Sequence, residues 1–146
     1  MVGEGHALRV TTRTEVGRAA IEATGAECWV GTPDRLATLR GALESVTIVF
    51  WLLGSAVGSP QAVRALHTSR LEFFLTQAID TTVRGFVYEV RGTTTPPDLL
   101  LDGERTVRAI TERNAIPTAF LTADPSDVGG WLADARATVD SLLVRA

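Results

Sequence analysis

Two kinds of segment alternate along this chain. Short runs rich in β-branched, aromatic and aliphatic residues fall at Ala7–Arg13, Ala26–Gly31, Val46–Leu53, Gly85–Val90 and Pro117–Thr122. Each is strand-length and bounded by turn-forming or charged residues. Between them lie stretches with helical spacing. Glu15–Thr24 is opened by Thr14 as an N-cap and stopped by Gly25. The stretch from Asp34 to Glu44 carries Leu36, Leu39 and Leu43 on one helical face. Single helices are predicted over residues 61–82, 98–114 and 127–145. Val46–Leu53 is almost wholly apolar, as expected of a parallel strand buried on both faces.

Regular β–α alternation predicts an α/β fold with a parallel, doubly wound sheet in three layers. The length of 146 residues suits one domain with a real hydrophobic core. We therefore expect a single domain over residues 1–146. In the helix expected near 61–82, Leu71, Leu75 and Ile79 form an i, i+4, i+8 ridge, with Leu66, Phe73 and Phe74 beside it. That is more apolar circumference than one sheet contact needs, so a homodimer through this helix is expected.

Composition narrows the chemistry. All 14 basic residues are arginine, so no lysine nucleophile or Schiff base is available. The net charge of −3 predicts no nucleic-acid partner. Cys28 is the only cysteine and cannot form an internal disulfide, which fits a reducing compartment. Met1–His6 is polar and glycine-rich, unlike a secretory signal, and the apolar run at 46–58 is too short to span a bilayer. A cytoplasmic protein without membrane association is expected. His6 and His67 are far apart in sequence and predict no metal site; His67 is expected at a surface or interface.

Three segments carry a family resemblance. Gly5-His6-Ala7-Leu8-Arg9-Val10-Thr11-Thr12-Arg13 is similar to the second strand of extended and atypical short-chain dehydrogenases. Leu43-Glu44-Ser45-Val46-Thr47-Ile48-Val49 resembles their approach to the fourth strand, and Thr82-Val83-Arg84-Gly85-Phe86-Val87-Tyr88 the one to the fifth. The resemblance implies an NAD(P)-binding Rossmann-like fold. In that family a first strand and a Gly-x-x-Gly-x-x-Gly turn precede the segment at Met1; Gly3 and Gly5 precede a strand and do not form that turn. Either the true start lies upstream, or the first βα unit has been lost. Removing the first strand from the family order 3-2-1-4-5-6 and closing the gap gives, after renumbering, 2-1-3-4-5, the flavodoxin-like order. The expectation is thus a truncated Rossmann sheet of five strands in that order.

The resemblance also marks candidate ligand residues. A basic residue at the end of the first strand here, Arg13 between Thr12 and Thr14, would hold the 2′-phosphate of NADP through its planar guanidinium fork. Thr32 and Asp34 occupy the family's adenine-contacting corner, or cap the helix that follows. Gly54 and Ser55 lie at the carboxyl end of the most apolar strand, where open α/β sheets bind ligands. Asp127 is expected to cap the last helix. The Tyr-x-x-x-Lys pair of the family is missing: four residues after Tyr88 stands Gly92. Conventional dehydrogenase chemistry is therefore not expected, and Tyr88 reads as a structural strand residue. Two functional expectations follow. One is a nucleotide binder, NADP(H) or another, without that chemistry; the other is a cofactor-free homodimeric interaction or regulatory protein.

Overall fold

The computed structural model describes residues 1–145. The chain is organised as two compact units, Met1–Glu44 and Ser45–Ala146.

In the first unit, β1 (Arg9–Thr12) and β2 (Glu27–Val30) pair in parallel, with Arg9 opposite Glu27 and Thr12 opposite Val30. Their crossover is a 3₁₀ turn, Glu15–Gly17, running into α1 (Arg18–Glu22), which packs on β2. Gly25 ends it with φ 86°, the left-handed geometry expected of a glycine stop. Arg9 holds this unit together. Its guanidinium donates to Glu27 at 2.9 Å, to the carbonyls of Ala42 at 2.6 Å and Glu44 at 2.9 Å, and lies over the Trp29 ring.

The second unit holds β3 (Ile48–Trp51), β4 (Gly85–Glu89) and β5 (Thr118–Leu121), all parallel with β4 in the middle. Every residue of β4 is buried. Its side chains alternate between two helical layers. Tyr88 faces α4 (Pro97–Arg113), where Gly103 leaves room for its hydroxyl. On the other face, Gly85 abuts Leu142 and Glu89 bonds Trp131, both in α5 (Val128–Arg145). Between β3 and β4 run α2 (Pro60–Leu66) and α3 (Ser69–Ala78), with α3 packed on α4. Leu71, Phe74, Leu75 and Ala78 of α3 are buried, each large apolar side chain contributing about 1.5–3 kcal/mol.

Three expectations are corrected. The strands form two sheets, β1-β2 and β3-β4-β5, and not one five-stranded sheet in the order 2-1-3-4-5. An apolar pattern specifies which face of a strand is buried, but the neighbour along its edge is chosen by backbone hydrogen bonds that leave no sequence signature. The helix expected over 61–82 is two helices broken at His67 and Thr68. The break has a cause: the Trp51 indole N–H donates to the Leu66 carbonyl at 3.0 Å, taking the acceptor a continuous helix would use. The helix expected over 34–44 is two 3₁₀ turns, Leu36–Leu39 and Gly41–Leu43. Again an indole intervenes, Trp29 donating to the Thr38 carbonyl at 2.8 Å.

Candidate functional site

In the first unit, the carboxyl ends of β1 and β2 bring together five of the residues singled out from sequence. Arg13 Nη1 lies 2.8 Å from Asp34 Oδ2, with the arginine 61% and the aspartate 32% exposed. The Asp34 N–H donates to Thr32 Oγ1 at 3.2 Å, and the Thr32 hydroxyl lies 3.4 Å from Asp34 Oδ2. The Thr12 hydroxyl donates to the Thr14 carbonyl at 3.2 Å. The Gly31 N–H continues the ladder onto the Thr12 carbonyl at 2.8 Å, which fixes the two strand exits side by side.

Neither threonine caps as expected. Thr14 sits at the N-cap position of the turn after β1 with extended backbone, but its side chain makes no capping bond. Thr32 and Asp34 do not cap the next turn, whose N-cap is Arg35. They close a tight loop instead, with Thr38 Oγ1 accepting from the Thr32 N–H at 2.9 Å. This leaves the corner with the well-exposed Arg13 guanidinium, the half-buried Asp34 carboxylate and several hydroxyls.

In the second unit, Gly54 and Ser55 do stand at the carboxyl edge of the sheet, but the protein's own backbone occupies their polar groups. The Gly54 N–H donates to Glu89 Oε1 at 2.9 Å, and its carbonyl accepts from the Thr95 N–H at 3.2 Å. Ser55 Oγ accepts from the Thr93 N–H at 2.9 Å, and the Thr94 hydroxyl donates to the Ala56 carbonyl at 2.9 Å. The loops after β3 and β4 are thus sewn together. A Cβ at Gly92 would overlap the Gly54 carbonyl, so glycine is required there by the close approach of the two backbones.

Glu89 is the residue sequence reasoning missed. It is buried at the end of β4, and its other oxygen accepts from the Trp131 indole at 2.9 Å. One carboxylate therefore ties the exit of β3 to the first turns of α5. The available signal was an acid closing an otherwise apolar strand. Nearby, Arg91 pairs with Asp124 at 3.0 Å, and Asp124 accepts from the Ser126 N–H and hydroxyl. Those Ser126 bonds, aided by Arg91, hold the Asp124 carboxyl below its ordinary range. Asp127 caps α5 as expected, accepting from the Gly130 N–H at 3.1 Å.

His67 is fully buried, which overturns its expected place at a surface or interface. Its Nε2 lies 3.2 Å from the Leu53 carbonyl, which can only accept, so Nε2 carries the proton. Nδ1 then accepts from the Tyr88 hydroxyl at 2.7 Å. Burial lowers the His67 pKa and raises that of Tyr88. Tyr88 is the chain's only tyrosine. Its phenol is sealed in the core with its proton committed to His67, so it offers no proton to a substrate.

Among the described residues no His, Cys, Asp and Glu side chains cluster in threes as a metal site requires, and no helix is long and apolar enough to cross a membrane.

No protein-family model matches the chain, and no curated protein matches it. Solved structures do match in fold. The triphenylmethane reductase of Citrobacter sp., solved in complex with NADP(H), aligns at TM-score 0.59 and 17% identity, over 77% of this chain and 38% of that one. A second structure of the same reductase aligns at TM-score 0.58 and 17% identity, with the same coverage. The structure of gox2253 aligns at TM-score 0.65 and 20% identity, over 82% of this chain and 44% of that one. The fold is therefore Rossmann-like, of the kind seen in an NADP(H)-binding reductase, and the chain spans less than half the length of these neighbours.

Proposed function

We propose that this chain binds a 2′-phosphorylated adenine nucleotide, of which NADP(H) is the fullest form, at the carboxyl ends of β1 and β2. In this reading it belongs to the short-chain-dehydrogenase-like group but does not use that group's tyrosine–lysine chemistry. The observation that carries the reading is Arg13. It stands exposed at the exit of these two parallel strands, and its acid partner, Asp34, is a partly exposed neighbour that an incoming phosphate can displace. Guanidinium matches phosphate in shape and charge, and the exposed Thr14 hydroxyl, which makes no capping bond, adds a further donor. The fold likeness to a reductase solved with NADP(H) supports the choice of nucleotide.

The residues present fit the adenosine 2′-phosphate end of the cofactor. No strand-to-helix turn among the described residues reads Gly-x-x-Gly-x-x-Gly, so no residue is assigned to the pyrophosphate. When bound, NADP(H) would supply hydride chemistry. Lys is absent and Tyr88 is sealed, so this chain's own residues supply binding in this proposal and no tyrosine-based proton transfer.

The test is a calorimetric titration with NADPH and NADH, repeated on Arg13→Ala. Saturable NADPH binding that weakens more than NADH binding on substitution supports the reading. Equal losses for the two cofactors, or no saturation at millimolar ligand, overturn it.

A second reading is a cofactor-free homodimer pairing through the α2–α3 segment. One observation favours it: Phe73 of α3 is 55% exposed. The remaining apolar ridge does not, because Leu71 and Leu75 are buried within the protomer. Analytical ultracentrifugation of the native chain and Phe73→Ser separates the readings: a dimer that the substitution dissociates favours the second.

A further inference from the structure

The second unit carries a cleft of about 540 Å³ that the nucleotide reading leaves unused. It opens at the carboxyl edge of the β3-β4-β5 sheet, between the loop that leads into α2 and the loop that leads into α4. Its walls are apolar, formed by Val57, Pro60, Val63, Pro96 and Leu99. Arg64 lines it from α2, and Asp98 and Asp102 from α4.

The charges on these walls are unevenly committed. Asp102 pairs with Arg105 at 3.2 Å. Asp98 and Arg64 enter no ion pair among the described residues, with each other or with anything else. An uncommitted cation and an uncommitted anion thus line one apolar cleft from different helices without closing on each other. Both helices are anchored below it. The Thr93–Ser55 and Thr94–Ala56 bonds fix the two loops, and Leu99 of α4 is buried. The cleft volume lies in the range of small-molecule sites, which combine apolar walls with a few convergent polar groups.

We infer that this cleft binds a small amphipathic zwitterion: a compact apolar or aromatic body on the Val57–Leu99 walls, with an ammonium toward Asp98 and a carboxylate toward Arg64. A purely apolar ligand would leave both charges unanswered. A ligand of one sign would answer one and crowd the other. The inference stands apart from nucleotide binding, since no residue is shared between the two sites.

The test uses three matched probes with one ring: 4-(aminomethyl)benzoate, 4-methylbenzylamine and 4-methylbenzoate. Each is titrated into the native, isotope-labelled chain, and amide shifts are followed by NMR. The expected result is saturable shifts at Val57, Gly58 and Leu99. The zwitterion should bind more tightly than either singly charged probe, by about five-fold per exposed charge contact. Asp98→Asn should remove the advantage over the acid, and Arg64→Gln the advantage over the amine. Three probes of equal affinity, shifts elsewhere on the chain, or no saturation would each overturn the assignment. Because Arg64 and Asp98 are exposed, their substitution should leave folding intact, and an unchanged amide spectrum away from the cleft checks this.

Discussion

Arg13 and Asp34 form a 2.8 Å ion pair across the exits of β1 and β2, and both were marked from sequence as nucleotide-binding residues. The pair sets a competition. A phosphate reaching Arg13 must displace a carboxylate that is already there. Asp34→Asn removes that competitor and keeps the Thr32 contact geometry, so NADPH should bind about two- to five-fold more tightly while NADH changes little. Isothermal titration of both cofactors checks it. A parallel gain for NADH would mean that Asp34 acts on something other than the 2′-phosphate.

Glu89 should matter to the stability of the second unit. It accepts from two donors, Gly54 N–H and the Trp131 indole, in a buried position. Glu89→Gln presents one oxygen and one N–H₂, so one donor loses its acceptor. A loss of about 1–3 kcal/mol is expected from urea unfolding, together with a shift in Trp131 emission. Unchanged emission and midpoint would contradict the bond to Trp131.

The buried His67 predicts a pH dependence with a definite sign. Burial favours its neutral form, so its folded pKa lies below the ordinary 6.5. The unfolded chain then binds a proton that the folded chain refuses. Stability from this group is fully present above about pH 7 and falls as pH drops through 6.5 toward the lowered folded pKa. Urea midpoints measured on either side of pH 6.5 should fall for the native chain on the acid side, and fall less for His67→Gln. Tyr88→Phe should cost about 1–3 kcal/mol at neutral pH, because Nδ1 loses its donor in the core.

The seam between the loops after β3 and β4 gives a steric prediction. A Cβ at Gly92 would overlap the Gly54 carbonyl, whereas one at Gly58 would make only ordinary contact, at 3.9 Å. Gly92→Ala should destabilise by about 2–4 kcal/mol, and Gly58→Ala should be near neutral. Thermal melts of the two variants side by side provide the comparison.

Much of this architecture was legible in the pattern of residues. All five strands and the helices α4 and α5 appear where periodicity places them, because alternation and helical spacing report directly on burial. Continuity was not legible. Trp29 and Trp51 each send an indole N–H to a helical carbonyl, at Thr38 and Leu66, and break helices whose apolar spacing looks unbroken. Nor was the inward turn of His67, which depends on a tyrosine 21 positions later. The corner at the exits of β1 and β2 was legible in part. Arg13, Thr32 and Asp34 do converge, but the ion pair that guards the arginine could not be read from spacing. At Gly54 and Ser55 the smallness of the residues was read as room for a ligand, and the room is taken by residues 91–95.

The most direct test uses the fragment of cofactor that the β1–β2 corner is proposed to hold. Adenosine 2′-monophosphate and adenosine 5′-monophosphate differ only in where the phosphate sits. Titrated into the isotope-labelled chain, the 2′-isomer should give saturable NMR shifts at Arg13, Thr14, Thr32 and the Trp29 indole. It should bind about ten-fold more tightly than the 5′-isomer, with the difference abolished in Arg13→Ala. Equal binding of the two isomers, or shifts that leave residues 12–14 and 32–34 untouched, would contradict the account.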